Sequence, residues 1–131
     1  MKVLALSVVR HTRNYEAMVQ FYQDTLAMKC VETWAEPGNR GTLLSPGEKV
    51  GTTVIEVLEL GEEAKPDTPP ENVVLSLEVE DVDDWHDQLV EKGTVIARGL
   101  EDAPWEHRSF GVDDPDGFRI WFYQDVSGSK A

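Results

Sequence analysis

The chain has 131 residues, 25 of them acidic against 12 basic for a net charge of −13, and 40% hydrophobic. One domain with a core is within reach of that length, and a charge so negative with no basic patch excludes nucleic acid as an expected partner. No apolar run approaches the ~20 residues of a membrane span, and Met1–Leu6 is too short for a signal peptide with Arg10, His11 and Arg13 following it. Cys30 is the single cysteine, so an internal disulfide and a cysteine-based metal cluster are both excluded. A soluble cytoplasmic protein is expected. The acidic surface is compatible with a cationic ligand, although such surfaces ordinarily serve solubility.

In chain order, Val3–Val9 reads as a strand, with Leu4, Leu6 and Val8 on one face and Ala5, Ser7 and Val9 on the other. From Tyr15 to Met28 the apolar positions Ala17, Met18, Phe21, Tyr22 and Leu26 recur at helical spacing with no glycine or proline between them. Asn14 suits the N-cap, but Ala17 at the third helical position forms no capping box. Lys29–Trp34 and Gly41–Leu44 are strand-like, set off by the turn clusters Glu36-Pro37-Gly38-Asn39 and Ser45-Pro46-Gly47-Glu48. Gly51–Leu60, rich in Thr, Val and Ile, completes a βαβββ order.

Glu62, Glu63, Lys65, Asp67 and three prolines (Pro66, Pro69, Pro70) then make a solvated connector. The chain divides there into an N-terminal module 1–61, a linker 62–70, a C-terminal module 71–126 and a tail 127–131. In the second module Val73–Val79 is a strand, with Val73, Leu75 and Leu77 toward a helix and Val74, Ser76 and Glu78 toward a cavity. The helix is Asp81–Lys92, Val82, Trp85, Leu89 and Val90 face inward, and Gly93 ends it. Thr94–Arg98 reads as the next element, Gly99–Pro104 as a loop and Arg108–Val112 as a strand. Asp113-Asp114-Pro115-Asp116-Gly117 is a hairpin turn, because proline pre-sets φ, Asp bonds its own backbone and Gly takes the left-handed position. Beyond it Phe118, Ile120 and Phe122 share one face, and Arg119, Trp121 and Tyr123 the other. The order is again βαβββ, an internal repeat.

The two modules, Phe21-Tyr22 and Leu26-Ala27-Met28 of the first helix, Glu80-Asp81-Val82-Asp83-Asp84-Trp85 opening the second, and Asp114-Pro115-Asp116-Gly117-Phe118-Arg119-Ile120 resemble the vicinal oxygen chelate superfamily. That group includes glyoxalase I, fosfomycin and bleomycin resistance proteins, and extradiol dioxygenases. The resemblance runs from Val3 to Gln124 and implies an α+β glyoxalase-like fold: curved four-stranded sheets, helices on their convex sides, and a concave site. It also implies a homodimer, with sites built from two modules paired within one chain or across two.

Metal enzymes of the superfamily hold their ion with His or Glu on the first and last strands of each module. Imidazole and carboxylate suit Ni, Zn, Fe or Mn. The resemblance places the four ligand positions on Ser7, Glu56, Val74 and Trp121, and a slip of two residues substitutes Val9, Leu58, Ser76 and Tyr123. Only Glu56 is a competent ligand, so no metal or other cofactor is expected. A His11, Glu56 and His107 set is the remaining route to a metal centre, while His86, between Asp84 and Asp87, reads as part of a solvated helical face.

Two functions from different classes follow. The first is a metal-independent binder of a small organic molecule, its cavity lined by Ser7, Val9, Val54, Val74, Ser76, Arg119, Trp121 and Tyr123. Trp121, Tyr123 and one of Trp34 or Trp105 would stack on a flat or cationic ligand. The second is a lyase or isomerase of the glyoxalase or dioxygenase type. It would use a divalent metal, or Glu56 as general base with a pKa raised on an apolar strand unless Arg119 or Arg40 pairs with it.

Overall fold

The strands of the chain form two separate four-stranded sheets. The computed structural model describes residues 1–2, 4, 6–46, 53–61 and 73–128, and the chain falls into two compact units, Met1–Thr68 and Pro69–Ala131. The first contains β1 (Leu6–Thr12), α1 (Tyr15–Gln20), β2 (Lys29–Glu36), β3 (Asn39–Ser45) and β4 (Thr53–Glu59). Its sheet runs β1-β4-β3-β2, with β1 and β4 parallel and the other pairs antiparallel. The second contains β5 (Leu75–Glu78), α2 (Val82–Glu91), β6 (Arg98–Asp102), β7 (His107–Asp113) and β8 (Arg119–Asp125), in the order β5-β8-β7-β6 with β5 and β8 parallel. Both are βαβββ, as the repeat predicts. The expected strand onset at Val3, the turn through Gly47 and Glu48, the start of the next strand at Gly51, the linker 62–70 and the end of the tail lie outside the described residues. Among the described residues no helix is long and apolar enough to cross a membrane.

In the first unit α1 runs on into a π-helical turn, Phe21–Thr25, closed by Leu26 N–H donating to Phe21 O at 3.0 Å. Tyr15, Met18, Tyr22, Leu26 and Met28 are buried with Leu44, Ile55 and Val57 of the sheet. Ala17, expected inward, is exposed, and Tyr15 takes the inward stripe in its place. The core face of β1 is Val8, Arg10 and Thr12, while Leu4 and Leu6 are 74% and 59% exposed. Arg10, 7% exposed, lies on this face, and its Nη1 donates to Tyr22 Oη at 3.1 Å. A buried charge needs such a partner.

Aromatic rings fill the second unit. Phe110 and Phe122 stack at 4.8 Å, and Trp85 of α2 lies 5.2 Å from Phe122. Val82 and Leu89 are buried as expected, but Val90 is 50% exposed. His86 takes the inward position instead, edge-on to Phe110 at 5.3 Å, with Nδ1 3.0 Å from Asp87 Oδ1. The Asp81 side chain caps α2 by accepting from Asp84 N–H at 3.1 Å, and Gly93, at φ 86°, ends it. Arg108 ties the first turn of α2 to the sheet, reaching Asp83 Oδ1 at 2.9 Å and Asp102 Oδ2 at 3.3 Å.

One element is displaced from its expected place. Residues 94–97 are not a strand: Thr94 N–H donates back to Leu89 O and Ala97 N–H to Gly111 O, each at 2.9 Å. That stretch carries the chain from the helix to the sheet edge, so the strand begins at Arg98 and occupies most of the expected loop. The turn before β8 is organised by Asp114, which is buried and whose Oδ1 accepts from Asp116 N–H and Phe118 N–H at 2.9 Å each.

Candidate functional site

Strand alternation fixes which side chains share the sheet face away from the helix. In the first unit that open face carries Ser7, Val9 and His11 of β1, paired with Val54, Glu56 and Leu58 of β4 in that order. His11 therefore stands inside the first strand, not past its end. Glu56 is half-buried between Val9 and Leu43, and among the described residues it has no hydrogen-bond or ion-pair partner. Neither expected cation neutralises it. Arg40 bonds Glu16 at 3.1 Å and Glu59 at 3.2 Å, with its guanidinium 4.2 Å above the Tyr15 ring. Arg119 is taken by Asp113 at 2.5 Å. Trp34 is also on this face, seated over Gly41, where an added Cβ would overlap its ring, and its Nε1–H donates to Asn39 Oδ1 at 2.9 Å.

The open face of the second unit holds a cleft of about 640 Å³, lined by Ser76, Arg98, Glu101, Asp102, Ala103, Pro104, Trp105, His107, Ser109, Trp121 and Tyr123. Trp121 forms its floor because β7 has Gly111 opposite, where a Cβ would stand 2.5 Å from Trp121 Cζ3. Arg98 lies 4.5 Å and Arg119 5.1 Å from that ring. His107 stacks on Tyr123 at 4.6 Å and 19°. Trp105 stands at the rim, 70% exposed. Of the expected binding residues, Ser76, Trp121 and Tyr123 line this cleft and Arg119 touches its floor. Val74 lies just before β5, 48% exposed. Ser7, Val9 and Val54 belong to the first unit's open face.

Residues 6–122 match the model of the Glyoxalase/Bleomycin resistance protein/Dioxygenase superfamily. The chain belongs to that superfamily. It is 29% identical over 123 residues to a lactoylglutathione lyase of Neisseria meningitidis, covering 90% of this chain and 88% of the relative. Among solved structures it is similar to TnmS3, an antibiotic binding protein from Streptomyces sp. CB03234, at 25% identity and a TM-score of 0.70, covering 95% and 96% of the two chains. A glyoxalase I variant from Zea mays superposes at a TM-score of 0.79 and 16% identity, this chain matching 47% of it.

Metal enzymes of the superfamily hold their ion on the first and last strands of each module, which the resemblance sets at Ser7, Glu56, Val74 and Trp121. Strand register sets Val9 opposite Glu56 and Ser76 opposite Trp121, two residues along from Ser7 and Val74. Glu56 is the one carboxylate of the first set, and the slipped set Val9, Leu58, Ser76 and Tyr123 contains none. Among the described residues no three His, Cys, Asp or Glu side chains group as a metal ion requires.

Sequence reasoning missed Arg98 and Ser109. The sequence pattern puts Arg98 at the end of an element, whereas it opens β6 and faces Gly111 and Trp121. The available signal was the opposite-charge pair Arg98 and Glu101, which lies across a register shift in β6.

Proposed function

We propose that this superfamily member binds a small planar organic molecule in the cleft of its second unit, without a metal ion. The observation that carries this reading is Trp121, seated over Gly111 at a position where the superfamily's metal enzymes place a ligand. About 640 Å³ suits a drug-sized molecule, and Trp105, Trp121 and Tyr123 offer apolar faces with polar groups between them. The likeness to TnmS3, described as an antibiotic binding protein, supports the same class of activity. The test is metal analysis of protein purified without chelators, followed by a calorimetric screen of planar aromatics against wild type and Trp121→Leu. Tight, stoichiometric metal, or binding that ignores Trp121→Leu, sinks the proposal.

Likeness to lactoylglutathione lyases, together with the unpaired carboxylate of Glu56 among the described residues, supports a second reading, a lyase or isomerase with Glu56 as general base. Glu56→Gln separates the two, because turnover would vanish while binding of a neutral ligand persists. A cytoplasmic homodimer is part of the proposal. Leu6 and Val9 on the edge strand β1, and Val73 and Val74 leading into the edge strand β5, expose apolar surface that a second copy would cover. Sedimentation velocity reads that oligomeric state.

A further inference from the structure

We propose that the cleft selects planar ligands bearing a carboxylate, with Arg98 as the receptor and Glu101 as the group the ligand displaces. This rests on the binding role proposed above and names the ligand class. Arg98 is held from several sides. Its guanidinium lies 4.5 Å from the Trp121 ring, Nη2 donates to Ser109 Oγ at 2.5 Å, and Nη1 donates to Gly99 O at 3.1 Å. Nη1 also meets Glu101 Oε2 at 3.0 Å, and the two side chains are 27% and 67% exposed.

A guanidinium stacked on an aromatic face keeps its N–H groups in one plane, where a carboxylate meets them edge to edge. Glu101 Oε2 meets one of those groups, Nη1, from the chain itself. Glu101 pairs across the sheet with Ser109, which pairs with Tyr123. A ligand carboxylate replacing it would lay its attached ring along the cleft floor beside Tyr123.

What must be displaced decides the sign of the preference. An anion displaces Glu101, mostly in water, and exposed ion pairs contribute little. A cation seeking the Trp121 face must instead displace Arg98 from Ser109, Gly99 and the ring together. Asp102, the other carboxylate of the lining, is held by Arg108 at 3.3 Å. The net charge of −13 does not reverse this, because charges more than about 8 Å apart are largely screened at physiological ionic strength. The cationic ligand that composition allows is therefore disfavoured at this cleft.

The test is calorimetry of the full chain with three isosteric probes: 2-naphthoate, neutral 2-naphthamide and cationic 2-naphthamidine. Naphthoate should bind about tenfold more tightly than the amide, with the amidine weakest. Arg98→Gln should erase the gap between acid and amide. Glu101→Gln, at an exposed position that leaves folding intact, should tighten naphthoate by removing its competitor. Equal binding of all three, lost in Trp121→Leu, leaves the binding role standing and overturns the carboxylate preference. So does a tightest amidine, or no gain for naphthoate in Glu101→Gln. Binding by none of the probes overturns both readings.

Discussion

In the first unit the interface between helix and sheet holds polar groups: Arg10 donates to Tyr22 Oη, and the hydroxyls of Tyr15 and Thr42 bond each other. In the second the same interface is a stack of rings, Phe110 on Phe122 with Trp85 and His86 against them. The open faces differ in the opposite sense. That of the first unit carries Glu56 among apolar neighbours, and that of the second gathers Arg98, Glu101, Ser109, His107 and Tyr123 around Trp121. A shared element order therefore constrains the path of the backbone and leaves each face free to specialise. In the second unit an apolar interior backs the sheet whose other face carries the polar cleft.

The largest effect should come from cutting into that interior. Phe122 is fully buried and touches both Phe110 and Trp85, so Phe122→Ala should cost roughly 3–5 kcal/mol from lost burial and the cavity left behind. Urea denaturation followed by near-ultraviolet circular dichroism measures it. A cost below about 1 kcal/mol would mean that the ring stack does not hold the unit together.

Next in size is a matched pair of glycines. A methyl group at Gly111 collides with Trp121, and one at Gly41 collides with Trp34 and Leu58. Each Gly→Ala change should destabilise by about 1–3 kcal/mol through overpacking. Their effects on ligand should part: Gly111→Ala lifts the cleft floor and abolishes binding, while Gly41→Ala leaves affinity within about twofold. Equal losses of affinity would place the ligand on both faces and erase the functional asymmetry.

The polar interior of the first unit predicts a smaller cost. Tyr22→Phe removes one acceptor from buried Arg10 without opening a cavity, for a loss of about 1–3 kcal/mol. Thermal denaturation of this variant beside Phe122→Ala compares the two interiors directly. A larger loss for Tyr22→Phe would reverse the ranking of polar and aromatic cores.

The sequence showed some of this and hid the rest for definite reasons. Period-two alternation made β8 readable, and the left-handed Gly117 closed its turn where Pro115-Asp116 demanded one. The π-helical turn was illegible, because an i→i+5 bond leaves no mark in composition, and it keeps Leu26 buried when Ala17 is not. Glu56 could be placed on an open face by alternation, whereas its having no partner among the described residues depended on Arg40 finding Glu16 and Glu59 through the fold. Arg98 was hidden for a similar reason. Its partners Ser109 and Trp121 come from other strands, and the register shift between Arg98 and Glu101 disturbs the alternation that would have revealed its face.

The smallest effect concerns the clamp between α2 and the second sheet, for which the first unit's Arg40, with Glu16 and Glu59, is the counterpart. The Arg108 guanidinium beside Asp83 holds its carboxyl below the usual range, chiefly through their hydrogen bonds. A carboxyl depressed in the folded state stabilises above its unfolded pKa, about 3.9, and that contribution disappears as pH falls through the lower folded value. The second unit should therefore lose stability between about pH 4 and the pKa of folded Asp83, and Asp83→Asn should flatten that limb while changing little near pH 7. Thermal midpoints from pH 7 down to about pH 2 measure the slope. An unchanged acid limb in Asp83→Asn would mean that solvent screens this exposed clamp too well for it to matter, and that α2 is held by its buried face alone.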